Sequence, residues 1–499
     1  MTRARVHADA AVPLHLLLSR PAKQLCTAVF VSGRDPDVAL RESALWDEPV
    51  GDVLADRVEV SIDRADQRVD LTVTLDDDTI TAVVDAYRAA HPAFEADWDA
   101  ERRRLRELGR LTRSARHHDD QGCAILPVGE PDALPHFTPV IVRPRLTGAS
   151  AAVGSHGELE VLTEPGHGVD LEAAAGAVDA AFADDAAHTA AFLAMHRGRI
   201  ITEGYGGGAH QGMPLESWSM GKSIAAMLIG ILVGDGLLDL DEPAPIAEWR
   251  NPDDPRSGIT LRHLMNMSSG LRCSGRQDPR ASWEHGVSDH NYPYHEAIDT
   301  YRFMLSQPSE YPPGTVGRYR NTDPLALGAV VRRTIDAQGV EYLSWPQRVL
   351  FDRVGIRDHV LETDLFGNFV LSGFNLGTAR GWAKLGQLYL QDGVWGGDRL
   401  LPAGWVEFVT TPAPAWDEPE YGGQLWLNRS GSEPDLPPDA YWFQGVGSQR
   451  TLVVPSKELV VVRLGHMRSR RGLTLDDDGP AEHSLREATR RVLAAVDDG

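Results

Sequence analysis

Ser219-Met220-Gly221-Lys222 is the one S-x-x-K tetrad in the chain of 499 residues. The chain carries 49 basic residues, yet its lysines are only Lys23, Lys222, Lys384 and Lys457. A composition that uses arginine for nearly every positive charge keeps an amine three positions after this serine. Arginine cannot give up its proton inside a protein, whereas a partly buried lysine can. A neutral or proton-sharing amine can take the hydroxyl proton of Ser219 and make that oxygen a nucleophile. The apolar run Ile224–Val233 that follows reads as a helix buried on every side, too short for a bilayer. Ser219 and Lys222 then share one face at the helix start, where unpaired N–H groups favour an oxyanion and depress an amine's pKa.

Two further stretches could complete such a site. Tyr319-Arg320-Asn321 is the one Y-x-N of the chain and follows the turn Pro312-Pro313-Gly314-Thr315. A tyrosine on that loop can point into a cleft beside the Ser/Lys pair, and a phenolate held near an ammonium is a competent general base. Asn321 can hold the lysine or a substrate amide. Gly445-Val446-Gly447-Ser448-Gln449 enters a strand at Thr451–Val454, and glycines beside a strand allow a substrate backbone to come close. Taken singly, each stretch also fits a plain structural role: a capping serine, a core tyrosine, a glycine turn.

The elements that must position these residues follow from periodicity. Leu171–Phe182 is an amphipathic helix, Phe192–Met195 and Ile200–Tyr205 form a hairpin around His196–Arg199, and Gly234 and Gly236 stop the Ser219 helix. Alternating strands return at Gly423–Leu427, Thr451–Val454 and Leu459–Leu464, and Ala481–Val496 is a terminal helix. This order suggests one antiparallel sheet assembled from both ends of the region, with a helical domain beside it. Residues 1–165 read differently. Val58–Ile62 and Val69–Leu75 form a hairpin, Ala82–Arg113 is helical with Glu101–Arg104 on a solvated face, and Gly122–Pro127 and Thr138–Val142 are short strands. Residues 148–168 read as a linker. His117-His118-Asp119-Asp120 reads as a solvated turn rather than a metal site. Cys26 and Cys123 lie in strand-like segments, as buried free thiols or, in an oxidising compartment, a pair.

Net charge is −23, so phosphate backbones are repelled and nucleic acid is an unfavourable partner. No apolar run approaches a membrane span. Val12–Leu18, interrupted by Pro13 and His15, is a poor signal peptide, which favours the cytoplasm and leaves export open. Three cysteines do not make a disulfide scaffold.

Together the three boxes resemble the serine β-lactamase-like superfamily, which holds class C β-lactamases, penicillin-binding DD-peptidases, esterases and nylon-oligomer amidases. Trp218–Ser223 with Leu232–Gly236, Ile259–Leu264 leading to Met267–Leu271, Leu361–Asp364, Asp392–Trp395 and Val460–Gly465 extend the resemblance over about 170–497. It implies an α+β fold, a β-lactamase/transpeptidase-like antiparallel sheet flanked by helices with a helical subdomain. That hydrolase domain spans 166–499, and 1–165 is an N-terminal extension of no assigned role. It further implies that Ser219 is acylated, that Lys222 and Tyr319 transfer protons, and that Asn321 supports them. The oxyanion hole combines the Ser219 N–H with one from Trp442 or Phe443, while Gly445 and Gly447 border the substrate. No cofactor or metal is implied; the partner is a small ester or amide, and oligomeric state is left open.

One departure bears on specificity. The third box of the family carries Lys-Thr-Gly or His-x-Gly, whereas Asp439–Gly445 has no basic residue. This favours uncharged esters or amides over β-lactams and D-Ala peptides, with the aromatic Tyr441-Trp442-Phe443 as a pocket wall. His466, Arg450 and Arg463 are the residues that could replace the cation. Ser282–Glu296, with Trp283, His285, His290, Tyr292, Tyr294 and His295, is a candidate lid. An acyltransferase and a sensor that acylates once and stalls are the rival readings.

Overall fold

The computed structural model describes residues 12–46, 50–90, 97–142, 158–164, 168–275, 287–470 and 478–496. The N-terminal part begins with helix α1 (Leu14–Phe30), followed by strands β1 (Val58–Asp63) and β2 (Arg68–Thr74), helices α2 (Asp77–Ala90) and α3 (Trp98–Leu108), and strands β3 (Arg110–His117) and β4 (Cys123–Ile125). The strands pair antiparallel in the order β1-β2-β3-β4, with Val58 opposite Val73 in the first hairpin. The hairpin is as expected; α1 and β3 are not. The Val12–Leu18 run is the start of a buried helix that continues through Pro21, and Cys26 sits on that helix rather than on a strand. Proline breaks isolated helices, and here burial overrides it. Arg110–Arg113 belongs to β3 rather than to a helix, because Arg113 is an inward-facing residue that donates to the Leu126 carbonyl and ion-pairs with Glu296. A buried arginine hides the alternation of a strand. Thr138–Val142 pairs with no strand among the described residues. The side-chain amide of Gln121 holds both main-chain groups of Val140 at 2.9 Å, in place of a ladder.

The remainder is built on a seven-stranded sheet. Its members are β5 (Glu160–Val161), β6 (Thr189–His196), β7 (Arg199–Tyr205), β8 (Trp426–Leu427), β9 (Tyr441–Gly445), β10 (Gln449–Val454) and β11 (Leu459–Gly465), in the order β8-β9-β10-β11-β6-β7-β5. The expected assembly from both ends of the region is what is seen. The pair β5–β7 is parallel, and β5 comes from just before residue 166, inside the expected linker. The rest of 148–168 lies largely outside the described residues. Helices α4 (Leu171–Phe182), α5 (Gly221–Gly234), α6 (Thr322–Ala337), α7 (Ala379–Leu390) and α8 (Pro480–Ala495) complete the frame.

Helices cover the sheet on both faces, so its central strands read as continuous apolar runs. Phe192, Ala194, Trp442, Leu452, Val454 and Val461 point to α4 and α8. Ala191, Leu193, Tyr441, Phe443, Val453, Val460 and Val462 point to the larger core that holds α5, α6 and α7. α5 is buried from Gly221 to Leu232, as its all-apolar sequence requires. Three short strands, Leu215–Glu216, Asn375–Gly377 and Val360–Leu361, form a separate antiparallel sheet with Asn375–Gly377 in the middle. That small sheet brings the chain just before Ser219 beside the turn 370–374. Among the described residues no helix is long and apolar enough to cross a membrane.

Phe192 is fully buried on the face turned away from Ser219. Phe192→Ala is expected to lower the unfolding free energy by about 3–5 kcal/mol. Turnover per titrated active site should stay at the wild-type value. Chemical denaturation and active-site titration check the two halves separately.

Candidate active site

Ser219 lies in a single 3-10 turn, Trp218–Met220, that opens into α5. Trp218 holds φ +51°, a left-handed conformation that costs a non-glycine residue on the order of 1–3 kcal/mol. Its carbonyl accepts the Asn375 side-chain amide at 2.6 Å, and the Trp382 indole donates to Ser217 Oγ at 2.7 Å. Gly221 is required there: a Cβ would lie 2.5 Å from both Asn375 Nδ2 and the Leu371 carbonyl.

The turn presents Ser219 to the lysine three residues on. Lys222 Nζ is 2.8 Å from Ser219 Oγ and donates to the Ser372 carbonyl at 2.7 Å, a carbonyl that Ser219 Oγ also reaches at 3.2 Å. Lys222 is fully buried, and burial holds its pKa well below the lysine range, against a smaller opposing effect of Cys273. Burial thus favours the neutral amine, the form a general base must take.

Tyr319 lies against this pair, with Lys222 Nζ 4.7 Å from the centre of its ring. Burial raises its pKa and a hydrogen bond with Ser219 opposes the rise. Burial thus favours the neutral phenol over the phenolate expected beside a cation. The Tyr319 ring packs on Tyr421, Trp426 and His290. Asn321 is buried and donates its amide to the His290 carbonyl at 2.6 Å, so it anchors the loop at 287–296 rather than gripping the lysine. In that loop His290 is held neutral, its pKa lowered to about 3 by burial first and by Lys222 second. Trp283 and His285 lie outside the described residues.

Gly445 closes the other side, since a Cβ on it would fall 2.2 Å from the Ser217 carbonyl. Strand β9 can approach the Ser219 turn only with glycine at this point. Gly447, at φ +81°, is in the β9–β10 turn, where its carbonyl accepts from Arg463 at 3.0 Å.

Trp442 and Phe443 do not serve as expected. Asn428 donates to the Ala440 carbonyl at 2.9 Å and Trp426 pairs with Trp442, so the main-chain groups of Trp442 face β8. Those of Phe443 then face β10, opposite Thr451. Both are ladder members. The register with β8 ends at Trp442, and the next position on the open side is Gln444, followed beyond the strand by Val446. The side chains also miss the pocket. Trp442 is buried towards α4 and α8, and Phe443 packs on Trp382 and Tyr389. Inward alternation in a sheet covered on both faces accounts for the difference. An isolated aromatic triplet gave no sign that both faces were covered.

The sequence reading missed Ser372 and Phe374, and named Trp218 only within a motif match and Tyr294 only within the candidate lid. The Tyr294 hydroxyl lies beside Ser372 and Asn321, and the rings of Trp218, Tyr294 and Phe374 pack together at 5.0–6.2 Å. Ser372 acts through its carbonyl, which no residue type announces. A cleft of about 670 Å³ opens elsewhere, lined by Glu248, Arg256, Arg332 and Arg333. Its serine, Ser306, donates to the Phe303 carbonyl at 2.7 Å with no lysine in the lining, and Arg333 and Arg256 are already paired with Glu248 and Asp254.

Fold and site define a serine hydrolase. The chain belongs to the Beta-lactamase family, whose model matches residues 174–470. It is 24% identical over 298 residues to the 6-aminohexanoate-dimer hydrolase of Paenarthrobacter ureafaciens, covering 55% of this chain and 72% of that protein. Among solved structures, a family VIII carboxylesterase superposes with a TM-score of 0.51 at 16% identity, over 66% of this chain and 100% of its own. A putative beta-lactamase from Bacteroides dorei DSM 17855 does so with a TM-score of 0.51 at 17% identity, over 66% and 99%.

Lys222→Arg keeps a charge and removes the ability to lose a proton. Turnover is expected to fall at least ~100-fold. A base made from the deprotonated amine loses activity as pH falls through the lowered Lys222 pKa. The acid limb of kcat/KM should therefore lie far below the ordinary lysine value of about 10.4. A pH–rate profile with its acid limb near 10, or an arginine variant as active as wild type, contradicts this.

Proposed function

We propose that the protein cleaves a neutral ester or amide through an acyl-enzyme on Ser219. The observation that carries this reading is the desolvated Lys222 amine 2.8 Å from Ser219 Oγ. Lys222 takes the hydroxyl proton as Ser219 Oγ attacks the substrate carbonyl. The oxyanion is met by the Ser219 N–H and by an N–H from the open side at the end of β9, at Gln444 or Val446. The neutral Tyr319 phenol gives its proton to the departing alkoxide or amine and recovers it from Lys222. Water then enters, yields a proton to the same pair and releases the acid, restoring Ser219. Asn321, Gly445 and Gly447 act as positioning residues.

Neutrality of the substrate is supported by what occupies the three cations that could have filled the third box. Arg463 is fully buried and gives its donors to the carbonyls of Gly447, Ser448 and Ala187 and to Thr189 Oγ1. Arg450 pairs with Glu482 at 3.1 Å and Glu433 at 3.6 Å and stacks on Trp442, on the α4–α8 side of the sheet. His466 is buried beside Glu42, and burial drives its pKa well down, leaving it uncharged. A substrate carboxylate would meet none of them, and an unpaired carboxylate in a partly dry cleft costs several kcal/mol, roughly 10²-fold or more in kcat/KM. The rings of Tyr319, Trp426, Tyr421 and Trp416 offer an apolar wall in place of the one expected from Tyr441–Phe443.

Side-by-side values of kcat/KM for p-nitrophenyl butyrate and nitrocefin test this. The ester should be cleaved much the faster. A higher value for nitrocefin would overturn the neutral-substrate reading while leaving the nucleophile in place.

A further inference from the structure

The turn 370–374 carries the carbonyl that holds Lys222 on Ser219, and one residue bonds both of its ends. The Glu362 N–H donates to the Phe374 carbonyl and the Glu362 carbonyl accepts from the Val370 N–H, each at 3.0 Å. Glu362 thereby staples both ends of the turn. Its side chain is buried, and three donors to the carboxylate come from the N-terminal part of the chain: Lys23 Nζ, Thr27 Oγ1 at 2.7 Å and the Cys123 N–H at 2.9 Å. Lys23 Nζ also sits 3.6 Å from the centre of the Phe374 ring, a short cation–π contact. Phe374 packs in turn on Trp218, the residue before Ser219. A second line runs from Arg20 over the Trp46 ring to the edge of Trp218. Ser19 Oγ donates to the carbonyl of His295, and the His295 ring meets the Leu16 carbonyl at 2.9 Å, which ties the loop at 287–296 to the same helix.

We infer that the N-terminal part, through Lys23 on α1, is a working component of the active site: it fixes Glu362, and through Glu362 and Phe374 it sets the position of the Ser372 carbonyl and of the Ser219 turn. Lys23 is a positioning residue, since it touches neither Ser219 nor Lys222. Burial lowers its pKa to about 7, against the smaller pull of Cys123, Glu216 and Cys26. The family match begins at 174, downstream of Lys23, Thr27 and Cys123. The inference rests on the reading of Ser219 as nucleophile and Lys222 as base, and is indifferent to the substrate.

The test uses the full chain, with active sites counted by a fluorophosphonate and kcat, KM and the pH profile measured on p-nitrophenyl butyrate. Lys23→Met leaves the Glu362 carboxylate buried without its cation. It is expected to lower kcat per titrated site by about 10-fold or more, with KM held within about 3-fold and the acid limb displaced. Adding Glu362→Gln, which removes the stranded charge, should recover most of the loss. Phe374→Leu keeps the ion pair and removes the ring between Lys23 and Trp218. It should lower kcat per site in the same way, and it decides the matter if Lys23→Met does not fold. Wild-type kcat per titrated site and an unmoved acid limb in the variants that fold would overturn the inference, because a merely structural role lowers only the number of titratable sites. A wild-type protein that takes no label on Ser219 fails the hydrolase reading, and this inference with it, at the first step.

Discussion

The structure turns on one amine that is kept dry. Lys222 is a lysine in a chain that otherwise spends arginine, set in the first turn of a helix with no solvent face. Among the described residues its hydrogen-bond partners are a hydroxyl and a carbonyl, neither of them an anion. A buried ammonium without a carboxylate is costly, and the group relieves that cost by releasing its proton. The all-apolar α5, the glycine at 221 and the left-handed Trp218 all follow from the need to hold that amine on Ser219.

Tyr319 obeys the same rule with the opposite sign. Burial disfavours whichever form is charged, so it lowers the lysine and raises the tyrosine. Burial therefore favours the neutral amine and the neutral phenol beside the serine hydroxyl, one able to accept a proton and one to give it. Groups whose environments push them apart in this way divide acid and base roles between them. His290, equally buried, is held neutral by the same desolvation and contributes shape rather than charge.

Much of this was legible in the sequence, and what was not has specific causes. Ser219, Lys222 and Tyr319 were readable because their chemistry needs those side chains at those spacings. The hairpin around His196–Arg199, the helix at 171–182 and the all-apolar α5 were readable because period and length agree. Ser372 was not, because it works through its carbonyl, a group every residue has. Trp442 and Phe443 were misplaced because strand parity depends on a partner strand the sequence does not show. The helix α1 was hidden by Pro21, and β3 by the inward-facing Arg113, both tolerated only because tertiary burial overrides local preference. The link from Lys23 to Glu362 spans most of the chain and has no local signal at all.

The measurement that bears most directly on the account is the site of covalent labelling. After incubation with a fluorophosphonate or a slowly hydrolysed ester, peptide mapping by mass spectrometry should find one adduct, on the peptide that contains Ser219, and Ser219→Ala should carry none. An adduct that persists in Ser219→Ala at the wild-type rate would contradict the account.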